Sequence, residues 1–89
     1  MNLPKRRFAN HPGEVLLEEY IKPLGLTQAA LAKEIGISSN RLNELVRGKR
    51  GITADTAFRL ARRFGTSPEL WMNLQSAYQL TETRLALVD

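Results

Sequence analysis

The chain contains no cysteine, which rules out a disulfide framework and any zinc site built on thiolates. It has a single histidine, His11, standing beside Pro12 at what reads as a helix start, where a cap or surface role is expected. No nucleophile elbow, metal-ligand spacing or glycine-rich phosphate loop accompanies it, so neither an enzyme nor a resident metal or cofactor is expected. No apolar run approaches the roughly 20 residues a membrane span needs. The opening Met-Asn-Leu-Pro-Lys-Arg-Arg is basic, but the apolar stretch of a secretory signal does not follow it. The cytoplasm is the expected location. Aromatics are few, with one Trp, two Tyr and three Phe in 89 residues, and that length allows one domain with a modest core.

What the chain does have is positive charge, unevenly placed. Its formal net charge is +4 and its pI about 10.0, a balance that favours an anionic partner. Seven of the 13 Lys and Arg fall between Arg41 and Arg63, against two acids, Glu44 and Asp55.

That basic region overlaps the most informative segment, Thr27 to Gly48, which has the layout of two short helices joined by a tight turn. Thr27 suits the N-cap of the first helix, Gln28 opens it, Leu31, Ala32 and Ile35 give it an apolar stripe, and Gly36 supplies the turn. Ser38 or Ser39 caps the second helix, Ile37, Leu42 and Leu45 anchor it, and Gly48 ends it. At about 100° per residue, Ser39, Asn43, Arg47, Asn40 and Glu44 share one sector, while Leu45, Leu42 and Val46 occupy the other. Lys and Glu alone on such a face would signal only solvation. Here Ser, Asn and Arg all hydrogen-bond base edges or phosphates, Asn suiting adenine and Arg guanine. Ser39, Asn40, Asn43, Glu44 and Arg47 are therefore the candidate base readers of a DNA major groove. Gln28, Ser38, Arg41, Lys49 and Arg50 are the candidate phosphate contacts.

The flanking segments complete an all-α pattern. Residues 1–10, with Pro4 and Lys5-Arg6-Arg7, read as a flexible basic arm. Pro12 and Gly13 open a helix in which Leu17, Tyr20, Ile21 and Leu24 recur at i, i+3, i+4, i+7, and Pro23 ends or kinks it. Thr53 caps a further helix with the stripe Ala57, Leu60, Ala61 and Phe64, Arg59, Arg62 and Arg63 on its other face, and Asp55 spaced to pair with Arg59. Ser67-Pro68-Glu69 starts a fifth, aromatic-rich helix. Trp71, Leu74 and Tyr78 on that helix, with Leu85 and Leu87 in the tail over residues 81–89, are candidate dimer contacts. The tail itself has no clear period and reads equally as helix, strand or frayed end.

Three separated blocks, His11-Pro-Gly-Glu-Val-Leu-Leu-Glu-Glu, Leu42 through Leu60, and Thr66-Ser-Pro-Glu-Leu-Trp-Met-Asn-Leu-Gln, resemble the HigA (VapI-type) antitoxins of the phage-repressor-like (XRE) helix-turn-helix group. The resemblance covers residues 11–80. It implies a five-helix, lambda-repressor-like bundle, a homodimer through the C-terminal part, and repression of its own operon from an inverted-repeat operator in double-stranded DNA. It also implies neutralisation of a small RNA-cleaving toxin of the HigB, RelE-like type. Carried over by position, the backbone-contacting Gln falls on Gln28 and the base-facing residues on Ser39, Asn40, Asn43 and Glu44, followed by Arg47. Glu44 departs from the expected chemistry, because phosphates repel a carboxylate. It accepts from cytosine, is neutralised by Arg41 or Arg47, or rejects wrong sequences. A stand-alone repressor of the same family is the alternative reading, and an interaction module without DNA binding is a more distant one.

Overall fold

The computed structural model describes residues 10–88, where five helices and no strands are found; the expected arm falls outside these residues except for Asn10. Helix α1 (Pro12–Leu16) begins with proline at its first turn and is capped by His11, whose Nδ1 accepts from the Gly13 N–H at 2.9 Å. It runs directly into a π-helical turn, Leu17–Ile21, closed by Lys22 N–H donating to the Leu17 carbonyl at 3.0 Å.

This wider turn moves the apolar register away from the sequence-based stripe. A π-turn spaces its hydrogen bonds by five residues, so Leu16 and Ile21 both reach the core, while Leu17 and Tyr20 are half-buried at its edge. Leu24, expected in the stripe, lies beyond Pro23 and is exposed.

The next three helices follow their caps. Helix α2 (Gln28–Ile35) starts where Thr27 Oγ1 accepts from Ala30 N–H, and α3 (Ser39–Val46) where Ser38 Oγ accepts from Arg41 N–H, both at 3.0 Å. Ser38, not Ser39, is therefore the cap. Between them Gly36 takes φ +80°, a left-handed conformation that costs a residue with a Cβ. Helix α4 (Ala54–Phe64) is capped by Thr53 and closed by Gly65.

Helix α5 (Pro68–Val88) is 21 residues long and absorbs the tail, which is helical to Val88. Once α5 has started, nothing in residues 81–88 stops it, since they contain no proline or glycine.

The core gathers one stripe from each helix. Leu16, Leu31, Leu42, Leu45, Leu60 and Trp71 are fully enclosed, each leucine contributing about 1.5–3 kcal/mol of burial. Trp71 is the largest of them. Its ring lies 5.2 Å from Tyr20 and its Nε1 donates to Thr66 Oγ1 at 2.8 Å, so it is both packed and satisfied. The dimer role expected of Trp71 is accordingly corrected: a side chain with no exposed surface cannot meet a second chain.

One contact sets where α3 sits. A Cβ built on Gly13 would fall 1.8 Å from the Leu45 carbonyl oxygen, so the start of α1 and the end of α3 meet backbone to backbone. Gly13→Ala is expected to destabilise the protein by about 3 kcal/mol, the upper part of the overpacking range. The check is the urea midpoint at unchanged m-value, and a shift equal to that of an exposed Ala29→Gly control would refute the contact.

Candidate nucleic-acid interface

Helices α2 and α3 and the Gly36 turn form a helix-turn-helix unit whose α3 keeps its apolar side inward through Leu42 and Leu45. Ser39, Asn40 and Arg47 are exposed, and Asn43 and Glu44 half-exposed, along its outer side. All five expected readers thus line one accessible surface. Gln28 joins them across the turn: its Oε1 accepts from Asn43 Nδ2 at 3.2 Å. That bond holds the Asn43 amide while leaving the Gln28 NH2 group free to donate outward.

The cations divide differently from expectation. Arg41 points away from the outer sector: its Nη2 donates to Thr56 Oγ1 at 2.6 Å and to Asp55 Oδ2 at 3.3 Å, tying α3 to α4. Asp55 also receives Arg59 Nε at 2.9 Å, the expected i, i+4 pair. Hydrogen bonding from Arg59, with the charges of both guanidinium groups, holds the Asp55 carboxyl below its usual range. Arg59 Nη1 also donates to the Ile35 carbonyl at 2.7 Å, satisfying the last turn of α2. Arg63 reaches Glu34 on α2. Two arginines of α4 are therefore braces of the helix-turn-helix, and so is Arg41 through its Nη2.

Glu44 is neutralised, but not by Arg41 or Arg47. Arg50, six residues on, donates to Glu44 Oε1 from both Nε (3.1 Å) and Nη2 (2.8 Å), and its side chain stays about half exposed. Lys49 and Arg47 form no ion pair among the described residues and stay exposed.

The loop that delivers these cations is clamped from behind. Gln75 on α5 is buried, and its Oε1 accepts from Ile52 N–H at 2.6 Å. A Cβ on Gly51 would fall 2.8 Å from the same oxygen, so glycine is what lets the loop close on it. His11 also supports the loop, near Gly48 and edge-on to Tyr78 at 4.8 Å. Sequence reasoning missed Gln75, because a lone Gln carries no periodic or motif signal. Its only trace was its place at the end of the third family-like block.

The other expected dimer contacts fare unequally. Leu74 packs on the core and Tyr78 against His11, whereas Leu85 and Leu87 are exposed. Leu80, Leu87 and Val88 flank Thr83 and Arg84 in a shallow apolar groove on the outer end of α5. Among the described residues no helix is long and apolar enough to cross a membrane.

Residues 17–71 match the helix-turn-helix family model. The virulence-associated protein I of Dichelobacter nodosus is 58% identical over 72 residues, spanning 81% of this chain and 67% of that protein. The antitoxin HigA-1 of Vibrio cholerae is 40% identical over 84 residues, 94% of this chain and 78% of that one. The solved structure of the Pseudomonas aeruginosa antitoxin HigA with the higBA promoter superposes with a TM-score of 0.85 at 45% identity, covering 88% of this chain and 85% of that chain. The chain belongs to the helix-turn-helix family, in its HigA (VapI-type) antitoxin branch, a group of DNA-binding regulators rather than enzymes.

His11 makes the loop's support sensitive to pH. Burial pushes its imidazole below the ordinary value of 6.5, outweighing the opposing effects of the Arg50 backbone and Glu14. The unfolded chain therefore takes up the proton first. Stability is expected to be flat above about pH 6.5 and to fall below it until the native imidazole also titrates. Urea midpoints between pH 5.5 and 7.5 measure this, and His11→Asn, which keeps a cap acceptor, should show a clearly shallower slope.

Proposed function

We propose that this protein is a homodimeric DNA-binding antitoxin that represses its own operon and neutralises a small RNA-cleaving toxin of the HigB, RelE-like type. The observation that carries the DNA half is the outer side of α3. A short helix, capped by Ser38 and braced by Arg41, presents Ser39, Asn40, Asn43, Glu44 and Arg47 together, a set matched to base edges in a major groove. The HigA relative solved with its own promoter supports this use of the fold. In this reading Asn43, steadied by Gln28, addresses adenine, while Gln28, Ser38 and Lys49 take phosphates.

A two-fold dimer reads an inverted repeat with half-sites about 34 Å apart. The outer end of α5, with Leu80, Leu85, Leu87 and Val88 exposed, supplies apolar surface for the second copy. The toxin half is supported by relatives that are antitoxins, HigA-1 of Vibrio cholerae among them.

A gel shift with the DNA upstream of its own gene tests the first half; absent or salt-insensitive binding would sink it. Co-expression with the adjacent reading frame tests the second, and failure to relieve that frame's toxicity leaves only a repressor. Asn43→Ala is expected to cost about 1–3 kcal/mol of operator binding and to relax base preference. Lys49→Ala should instead weaken all sequences alike and reduce the salt slope by about one.

A further inference from the structure

Glu44 is the one carboxylate in the outer sector of α3, and an unpaired carboxylate there would be repelled by the phosphates of any DNA it approached. The structure gives it a fixed partner. Helix α3 closes through Gly48 at φ +77°, with Gly48 N–H donating to the Leu45 carbonyl at 3.0 Å and Lys49 N–H to the Glu44 carbonyl at 2.8 Å. This folds the chain back so that Arg50 stands over the Glu44 side chain. Gly51 and Ile52, held by Gln75, then fix where Arg50 begins.

Both guanidinium bonds go to one oxygen, Oε1, and among the described residues no donor reaches Oε2. The result is a neutral pair that leaves one carboxylate oxygen without a donor among the described residues. The four base pairs answer such an acceptor differently. On their own edges, guanine shows N7 and O6 and thymine O4, all acceptors; adenine offers its N6 amino group, but beside its N7 acceptor; cytosine offers only its N4 amino group. A lone carboxylate oxygen is therefore matched best by cytosine, less well by adenine, and opposed by guanine and thymine.

We propose that Glu44 and Arg50 act as a single reading unit, in which Arg50 is a positioning residue that neutralises and orients Glu44, and Glu44 Oε2 specifies a cytosine in each operator half-site. The proposal rests on α3 being the DNA-reading helix.

The test selects half-sites from a randomised operator with wild type, E44A, R50A and the E44A/R50A double variant, and measures the affinity of each for the native operator. Wild type should select cytosine at one position per half-site. E44A should lose that preference alone, with discrimination there falling roughly 5- to 150-fold. R50A should weaken operator binding at least tenfold when Glu44 is present but no more than about threefold in the E44A background, because only the first leaves a carboxylate unpaired. R50K, which keeps the charge but loses the two-pronged contact, should fall between wild type and R50A. Equal losses from R50A in both backgrounds, or unchanged base preference in E44A, overturn the paired reader while leaving DNA binding intact. Absence of sequence-selective binding by wild type overturns it together with the DNA-reading function, so the two failures are told apart.

Discussion

The backbone of Gly13 lies so close to the Leu45 carbonyl that no side chain fits between them, and the placement of the reading helix follows from that approach. A helix eight residues long has little stability of its own. What fixes α3 is contact on three sides: α1 at Gly13, α4 through Arg41, Thr56 and Asp55, and the hydrophobic seating of Leu42 and Leu45. The loop beyond it is held in turn by Gln75 and His11. Recognition by a few side chains needs this stiffness, because a reader displaced by an ångström makes a different set of hydrogen bonds.

The same demand explains how the chain spends its charge. Arg41, Arg59 and Arg63 join helices, and Arg50 neutralises a neighbour. Exposed pairs of this sort contribute only modestly to stability, and their value here lies in direction. Asp55 holds two guanidinium groups from different elements in one place, while Glu44 trades a liability for an orientation. The formal excess of positive charge thus overstates what is available to an anionic partner, and Arg47 and Lys49, exposed and outside any ion pair among the described residues, matter correspondingly more.

Much of this was legible before any coordinates. Thr27, Ser38, Thr53 and Ser67 announced helix starts through local chemistry, and the stripes of α2, α3 and α4 obeyed the ordinary helical period. The π-turn of α1 was not legible: nothing in Leu17 to Ile21 marks a five-residue turn, so the stripe was drawn through Leu24 and missed Leu16. Trp71 reads as an interface residue in sequence yet packs as core, because both settings favour the same large aromatic. The links Arg41–Asp55, Gln28–Asn43 and Ile52–Gln75 join residues 14 to 23 positions apart, a separation at which pattern reading has no rule. Among the site residues, the sector on α3 follows from the 100° spacing of a helix and from the family resemblance, whereas the partners of Glu44 and Asn43 require the fold.

Helix α5 spans about 31 Å at 1.5 Å per residue. Gln75 lies about a third of the way along this rod and the exposed apolar groove at its far end, so the two belong to one element. A single continuous helix thus carries both the side chain that holds the loop behind α3 and an exposed apolar surface, and the distance between them is set by helical rise alone.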